Sequence, residues 1–250
     1  MIAQVTNETY AEWYQTACAG KPYFGCVMPV QLELFGKASG CYFAGEEIAI
    51  DANGNKAIAC GVADPEELAS FLAFLDKHEL LTDGAMPKGW HEKEQLHLFA
   101  LEAGKSLPVP PQPDALLLNE MPSPFKIAQF LFGNQPEKQD DFYSELCTKR
   151  NHGKVIVWSL EQEGKIISTV GAYALHNGQA YLACAETVAQ MRGQGIGGWL
   201  IATMANMLSA QGWRVVLLAK QEREHFYRRL GFAHLGTLTV YSDENTAKAE

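Results

Sequence analysis

At 250 residues, with 47% hydrophobic and 20% charged residues, the chain is long enough for two ordinary domains and has the make-up of a soluble globular protein, which excludes disorder. A formal net charge of −9 argues against a nucleic-acid partner, which needs a basic surface to displace counterions. Met1 to Glu8 lacks the basic region and apolar run of a signal peptide, and no stretch approaches a membrane span, so a cytoplasmic protein with no membrane partner is expected.

In chain order, Gly40 to Ile50 and Lys56 to Val62 are predicted strands joined around Asp51-Ala-Asn-Gly-Asn55, a hairpin-type turn with Asn-Gly at its centre. A helix follows from Asp64. Asp64 is a good N-cap, Pro65 suits the first helical position, Glu67 completes a capping-box-like pair, and Leu68, Phe71, Leu72 and Leu75 form a buried stripe. Asp64, Glu66 and Glu67 would occupy the positive pole of that helix, each contributing on the order of 0.3–1 kcal/mol, and would repel a pyrophosphate. The proline-rich stretch Ser106 to Asp114 cannot hold a helix and reads as an extended connector, lengthened by Pro122 and Pro124. The expected division is an N-terminal α+β domain over 1–105, a connector over 106–124 with a first strand at Ala115 to Met121, and a C-terminal domain over 125–250. The N-terminal domain is either a degenerate copy of the C-terminal architecture or an unrelated hairpin and helix.

Beyond the connector, Phe125 to Phe132 and Asp141 to Lys149 read as helices, and Lys154 to Leu160 with Lys165 to Leu175 as a hairpin turned at Gln162-Glu163-Gly164. Gln179 to Val188 has the content of a largely buried strand. Ile196, Trp199, Leu200, Thr203, Met204, Met207 and Leu208 then repeat at helical spacing up to Gly212. Val215 to Ala219 reads as a strand, Glu222 to Leu230 as a short helix closed by Gly231, and Phe232 to Tyr241 as the last strand.

Between the strand ending at Val188 and the helix beginning at Ile196 lies the most informative segment, Arg192-Gly193-Gln194-Gly195-Ile196-Gly197-Gly198. Glycines let the backbone turn its N–H groups toward a ligand, and the helix start adds unpaired N–H groups and partial positive charge, so the loop points to phosphate. Gly193-x-Gly195-x-x-Gly198 matches the dinucleotide fingerprint formally. That motif opens a doubly wound sheet, and too little chain follows here to build one.

From about Ala115 to Tyr241 the chain resembles the GNAT superfamily of N-acetyltransferases. Arg192, Gly195 and Gly197 match its acyl-CoA loop of the form Arg/Gln-x-x-Gly-x-Gly/Ala, and Phe226-Tyr227-Arg228-Arg229-Leu230-Gly231-Phe232 is similar to its Phe-Tyr-x-x-Leu-Gly-Phe signature. The order of strands, helices and loop also resembles that family. One departure is that Lys220 and Gln221 stand where many relatives carry a cofactor-contacting asparagine. The resemblance implies a mixed, mostly antiparallel sheet flanked by helices; the segment before the connector is expected to add a second, smaller α+β domain.

It also implies direct transfer of an acetyl group from acetyl-CoA to an amine of a small molecule or peptide. Thr187, Val188, Ala189, Arg192, Gly193, Gln194, Gly195, Ile196, Gly197 and Gly198 would bind the cofactor, with Arg192 on the phosphates or simply capping the turn. A backbone N–H near Thr187 to Ala189 would meet the oxyanion, where the family's strand splays at a bulge. Tyr227 is the candidate general acid for the leaving thiolate, against a plain core aromatic. Glu186 is the candidate base if partial burial raises its pKa, against an exposed strand carboxylate; Tyr173, His176 and His225 are weaker candidates. The rival reading is a non-catalytic acyl-CoA-binding sensor or interaction module. Cysteines 18, 26, 41, 60, 147 and 184 show no C-x-x-C spacing, so neither a metal site nor a disulfide framework is expected, while a homodimer is among the expected assemblies.

Overall fold

The computed structural model describes residues 1–6, 8–54 and 56–243. Its elements are β1 (Ala3–Gln4), α1 (Glu8–Cys18), α2 (Phe24–Ser39), β2 (Tyr42–Ala44), β3 (Ile48–Asp51), β4 (Ala57–Gly61), α3 (Pro65–Phe74), β5 (Glu79–Thr82) and β6 (His91–Leu101). There follow β7 (Leu117–Asn119), α4 (Pro124–Phe132), α5 (Pro136–Asn151), β8 (Ile156–Gln162), β9 (Lys165–His176) and β10 (Gln179–Thr187). The chain continues with α6 (Ile196–Ala210), β11 (Arg214–Lys220), α7 (Glu224–Leu230) and β12 (Ala233–Ser242). This is a mixed α+β fold with mostly antiparallel strands. It divides into two compact units that are not consecutive in sequence. The first is Met1–Leu98, Ala219–Glu224 and Leu235–Glu250; the second is Phe99–Leu218 and His225–His234. Both β6 and β12 are continuous strands in which the division falls, so it does not coincide with the proline-rich stretch.

In the first unit, β1, β2, β3 and β4 pair antiparallel in succession, β4 pairs parallel with β5, and β5 pairs antiparallel with β12. The strand predicted over Gly40 to Ile50 is in fact two, because the backbone turns at Gly45, whose N–H donates to Ile48 O at 2.8 Å. A Cβ there would lie 3.1 Å from Ile48 Cγ2, so glycine permits the tight reversal. In the β3–β4 turn, Asn53 N–H donates to Asp51 Oδ1 at 2.9 Å, while Asn55 lies outside the described residues. Asp64 caps α3 as expected, accepting from Glu66 N–H at 3.0 Å and Glu67 N–H at 2.9 Å. The capping box is not completed: Glu67 Oε1 accepts from Ile2 N–H at 2.9 Å. Leu68 and Leu72 are buried against Ile48, Ile50, Ala57, Ala59, Leu80 and Trp90, and each such leucine stabilises the unit by roughly 1.5–3 kcal/mol.

In the second unit, β7, β8, β9 and β10 pair antiparallel in succession and β10 pairs parallel with β11. Two tight turns set the meander. Glu163 and Gly164 have φ of 51° and 76°, and Asn177 and Gly178 of 43° and 74°, the paired left-handed conformations that match the twist of a hairpin. Helix α5 begins earlier than predicted, at Pro136, which supplies φ without needing its missing N–H. Helix α6 is buried on nearly all sides rather than along one stripe, Gly198, Ile201, Ala202 and Ala205 included.

The proline-rich stretch is extended, yet it is not a free connector. Leu107 is 4% exposed, its N–H donates to Asn206 Oδ1 at 2.7 Å, and Asn206 Nδ2 donates back to Leu107 O at 2.9 Å. Gly104 N–H donates to Ser209 O at 3.0 Å, so α6 holds the segment along its length. The two units also share an order of elements: a short strand, two helices, a three-strand antiparallel meander, a helix, and a strand parallel to the last of the meander.

Candidate active site

The glycine loop lies where β10 gives way to α6. A 3-10 turn at Ala189–Met191 leads to Arg192, then Gly193 at φ 79° and Gly195 at φ 80°. Gly195 is the N-cap of α6 and brings no capping side chain, and the first turn holds no acidic residue. The N-terminal N–H groups of α6 therefore retain their polarity for an anion, unlike those of α3. At Gly197 an added Cβ would lie 3.1 Å from Thr187 Oγ1, so this position must stay small for the helix to start against the strand end.

That strand end is irregular in a way that exposes one edge. Pairing of β10 with β11 runs only from Gln179↔Arg214 to Leu182↔Leu217, whereas pairing with β9 continues to Thr187↔Ser168. Between Ala183 and Glu186 the register shifts, and Cys184 within that bulge has φ 51°. Past Leu182, then, β10 parts from β11. Only Ala180 and Leu182 of β10 are buried, so the strand is less enclosed than its composition predicts.

Val188 drops out as an oxyanion donor, because its N–H donates to Ile167 O at 2.9 Å within the sheet. Strand amides alternate between edges, so if Val188 N–H faces β9, Thr187 N–H and C=O face the side that β11 has left. Arg192 Nε indeed donates to Thr187 O at 3.0 Å. On the β9 side, Ser168 Oγ donates to Glu186 O at 3.0 Å and lies 2.9 Å from Thr187 Oγ1, which fixes the strand end. Nothing in the sequence spacing marks Ser168.

Arg192 and Glu186, expected in separate roles, meet: the guanidinium donates to Glu186 Oε1. The Glu186 side chain is partly buried, at 45% exposure. Tyr173 is buried in an apolar cluster with Ile127, Leu146 and Val155, and burial pushes its hydroxyl well above the ordinary tyrosine range. Burial likewise pushes the neighbouring Cys184 thiol up to about 11. His225 is exposed, and His176 closes β9.

The second motif comes to the first through packing. A Cβ on Gly198 would lie 3.5 Å from Leu230 Cδ2 and 3.8 Å from Phe226 Cε2, so α7 rests on the first turn of α6. Tyr227 is half-buried, with the rings of Phe99, Phe226 and Phe232 at 5.7, 5.1 and 5.9 Å. Gly231, at φ 99°, ends the helix and lets Phe232 N–H close onto Tyr227 O at 3.2 Å. Lys220 and Gln221 are engaged elsewhere: Lys220 Nζ lies 3.0 Å from Glu94 Oε1, and Gln221 Oε1 meets His97 Nε2. No group of His, Cys, Asp and Glu arranged to hold a metal ion occurs among the described residues, nor does a helix long and apolar enough to cross a membrane.

Residues 153–234 match the family model of the acetyltransferase (GNAT) domain. No curated protein matches the chain in sequence. Among solved structures, a GCN5-related N-acetyltransferase from Kribbella flavida is similar with a TM-score of 0.62 at 18% identity, covering 86% of this chain and 93% of its own. A Drosophila protein gives a TM-score of 0.62 at 11% identity over 97% of this chain and all of its own. A GCN5-related N-acetyltransferase from Sphaerobacter thermophilus gives 0.57 at 13% identity over 80% of this chain and 76% of its own. At such identities the likeness is one of fold, and it extends well beyond residues 153–234.

Proposed function

Residues 153–234 form a GNAT acetyltransferase domain, and from that premise we propose that the protein transfers an acetyl group from acetyl-CoA directly to an amine of a small molecule or peptide. The observation that carries this reading is the start of α6, entered through two left-handed glycines and free of acidic residues. Its amides suit a pyrophosphate and its glycines leave room for one. Acetyl-CoA supplies the activated thioester; the chain supplies position, charge and protons.

Binding at the loop, remote from the reacting carbon, is spent on holding the thioester in place. Gly193, Gln194, Gly195, Ile196, Gly197 and Gly198 present the phosphate-binding backbone. Arg192 turns from Glu186 to the phosphates: an exposed ion pair is worth about 0–1 kcal/mol, which a multiply charged anion easily outcompetes. Thr187 N–H, facing the edge that β11 leaves, stabilises the oxyanion, with Ala189 completing the turn beneath it. Tyr227 protonates the departing thiolate. Glu186, released from Arg192, accepts the ammonium proton through water.

The first unit, in this reading, is a copy of the same architecture that has lost its donor site. Asp64 occupies the helix pole at α3, and the β5-to-β6 connection has no helix corresponding to α7 and hence no counterpart of Tyr227. The engagement of Glu186 by Arg192 favours a second reading, a protein that binds acyl-CoA without turnover. Isothermal titration with acetyl-CoA, paired with thiol release across a panel of small amines, separates the two. Replacing Gly195 and Gly197 by Asp is expected to abolish acetyl-CoA binding; unchanged affinity would overturn the phosphate-loop assignment.

A further inference from the structure

The end of β10 and the start of α6 share a single cation. From Thr187 to Trp213 the sequence holds one charged residue, Arg192. It stands between the two anions such a site must handle, the Glu186 carboxylate at the strand end and a pyrophosphate at the glycine loop. The turn before it explains how it reaches the first. Met191 N–H donates to Val188 O at 2.9 Å and Arg192 N–H to Ala189 O at 3.3 Å, so the chain doubles back and returns Arg192 to the strand it has just left. There the guanidinium makes two contacts at once, donating from Nε to Thr187 O at 3.0 Å and from a terminal nitrogen to Glu186 Oε1.

The two partners in this contact differ in freedom. Glu186 belongs to the sheet: it pairs with Thr169 of β9, and its carbonyl accepts from the buried Ser168 Oγ at 3.0 Å. Arg192 belongs to the surface. Its side chain is 55% exposed, and the next residue is Gly193, at φ 79° with open space where a Cβ would stand. In that setting the long arginine side chain can swing toward the helix start while the strand end stays in place. With the guanidinium on Glu186, the charge of the carboxylate is balanced and a second cation gains little there. With the guanidinium on a phosphate, Glu186 regains its full attraction for an ammonium group.

Resting on the acetyl-CoA reading of the loop, we propose that Arg192 is a latch between the two substrates: it occupies Glu186 against a cationic amine and yields it when the donor's pyrophosphate takes the guanidinium. The acceptor so favoured is an amine that arrives protonated and binds best with the donor in place. Because a coupling free energy is reciprocal, whatever frees Arg192 from Glu186 must also strengthen donor binding. The modest worth of an exposed ion pair limits the effect to a factor of about two to five.

Acetyl-CoA affinity is measured by titration calorimetry on the full-length protein, on Glu186→Gln, on Arg192→Gln and on the double variant. Glu186→Gln is expected to bind about two- to fivefold tighter than wild type, Arg192→Gln about tenfold weaker, and the double variant as Arg192→Gln does. Tightening that persists without Arg192 would mean plain repulsion between Glu186 and the phosphates, and it overturns the latch, as does unchanged affinity in Glu186→Gln. A second measurement reads the carboxylate itself, by carbodiimide coupling of glycine ethyl ester mapped by mass spectrometry. Glu186 is expected to be labelled about two- to fivefold faster in saturating coenzyme A, and in Arg192→Gln at that faster rate with or without it. Unchanged or slower labelling of the wild-type protein overturns the proposal. Failure of the wild-type protein to bind acetyl-CoA at all removes the loop reading and the latch with it, so the two failures are told apart.

Discussion

Tyr227 owes its position to three aromatic neighbours and its assigned role to a hydroxyl that none of those rings requires. Tyr227→Phe keeps the packing and removes only the acid. It is expected to lower kcat by on the order of 10²–10⁴, with acetyl-CoA affinity nearly unchanged, as measured by thiol release and titration calorimetry; undiminished turnover would return Tyr227 to the aromatic core. Glu186→Gln removes both the proton acceptor and the partner of Arg192. The acid limb of its kcat/KM profile is expected to move to higher pH, since the amine must then lose its proton unaided, and an unaltered profile would leave Glu186 only the task of holding Arg192. Much of this site was legible as residue types in order. Arg192, Gly195, Gly197 and Tyr227 stand in motifs whose spacing is set by a strand end, a helix start and a later helix. What sequence could not supply was pairing across the sheet. Val188 and Thr187 are equivalent on paper, and only the bond from Val188 N–H to Ile167 O separates them. Arg192 and Glu186 carry no sign that they meet.

Helix starts illustrate the same point for whole elements. The acidic first turn of α3 and the bare one of α6 follow directly from Asp64, Glu66 and Glu67 in one case and Gly195 to Gly198 in the other. Helix α2 is different: from Tyr23 to Val30 every residue is buried, with Pro29 inside the helix, so no amphipathic period announces it. The proline-rich segment misleads for the opposite reason, since its anchor on Asn206 lies far away in sequence. At the ends of β5 and β12, His78 Nδ1 meets Asp243 Oδ2 at 2.8 Å and His78 Nε2 meets Asp76 Oδ1 at 3.2 Å. The hydrogen bond with Asp243 raises the His78 pKa above its ordinary value of about 6.5. A raised folded-state pKa gives stability that is fully present below the unfolded value and lost as pH rises through the folded value. With His78 at 41% exposure, solvent screening limits the effect to about 0.2–1 kcal/mol. Asp243→Asn is therefore expected to lower Tm at pH 5.5 and to leave it nearly unchanged at pH 9, by calorimetry at both; equal shifts at the two pH values would count against a charge effect.

At the level of the whole molecule, the order of C-terminal elements was readable from periodicity and glycine placement and the fold class from the resemblance to the GNAT superfamily, but the grouping of segments was not. A strand such as β12 reads as one element, and nothing in its sequence says that Leu235–Ser242 belongs with residues from the chain's beginning. Val240 pairs with Leu81, and Leu238 and Val240 are 5% and 3% exposed. A fragment beginning at Phe99 would leave both residues without the first unit. Each would forfeit roughly 1.5–3 kcal/mol against a total stability of about 5–15 kcal/mol. Such a fragment is expected to melt without a sharp transition and to aggregate on gel filtration, and the full chain is expected to do neither; a cooperative, monomeric fragment would show the second unit to be self-sufficient.

The two tight turns of the β8–β9–β10 meander also bear on the order of events during folding. Hairpins closed by Glu163-Gly164 and Asn177-Gly178 bring together residues close in sequence and form within microseconds, before much loop entropy has been lost. Pairing of β10 with β11 must wait for a crossover that contains the glycine loop and all of α6. The proposed phosphate cradle thus belongs to a contact that closes later than either hairpin, outside the first-formed part of its unit. Substitutions there would alter how fast the native state opens rather than how fast it is reached, leaving the loop open to change without penalty to the rate of folding.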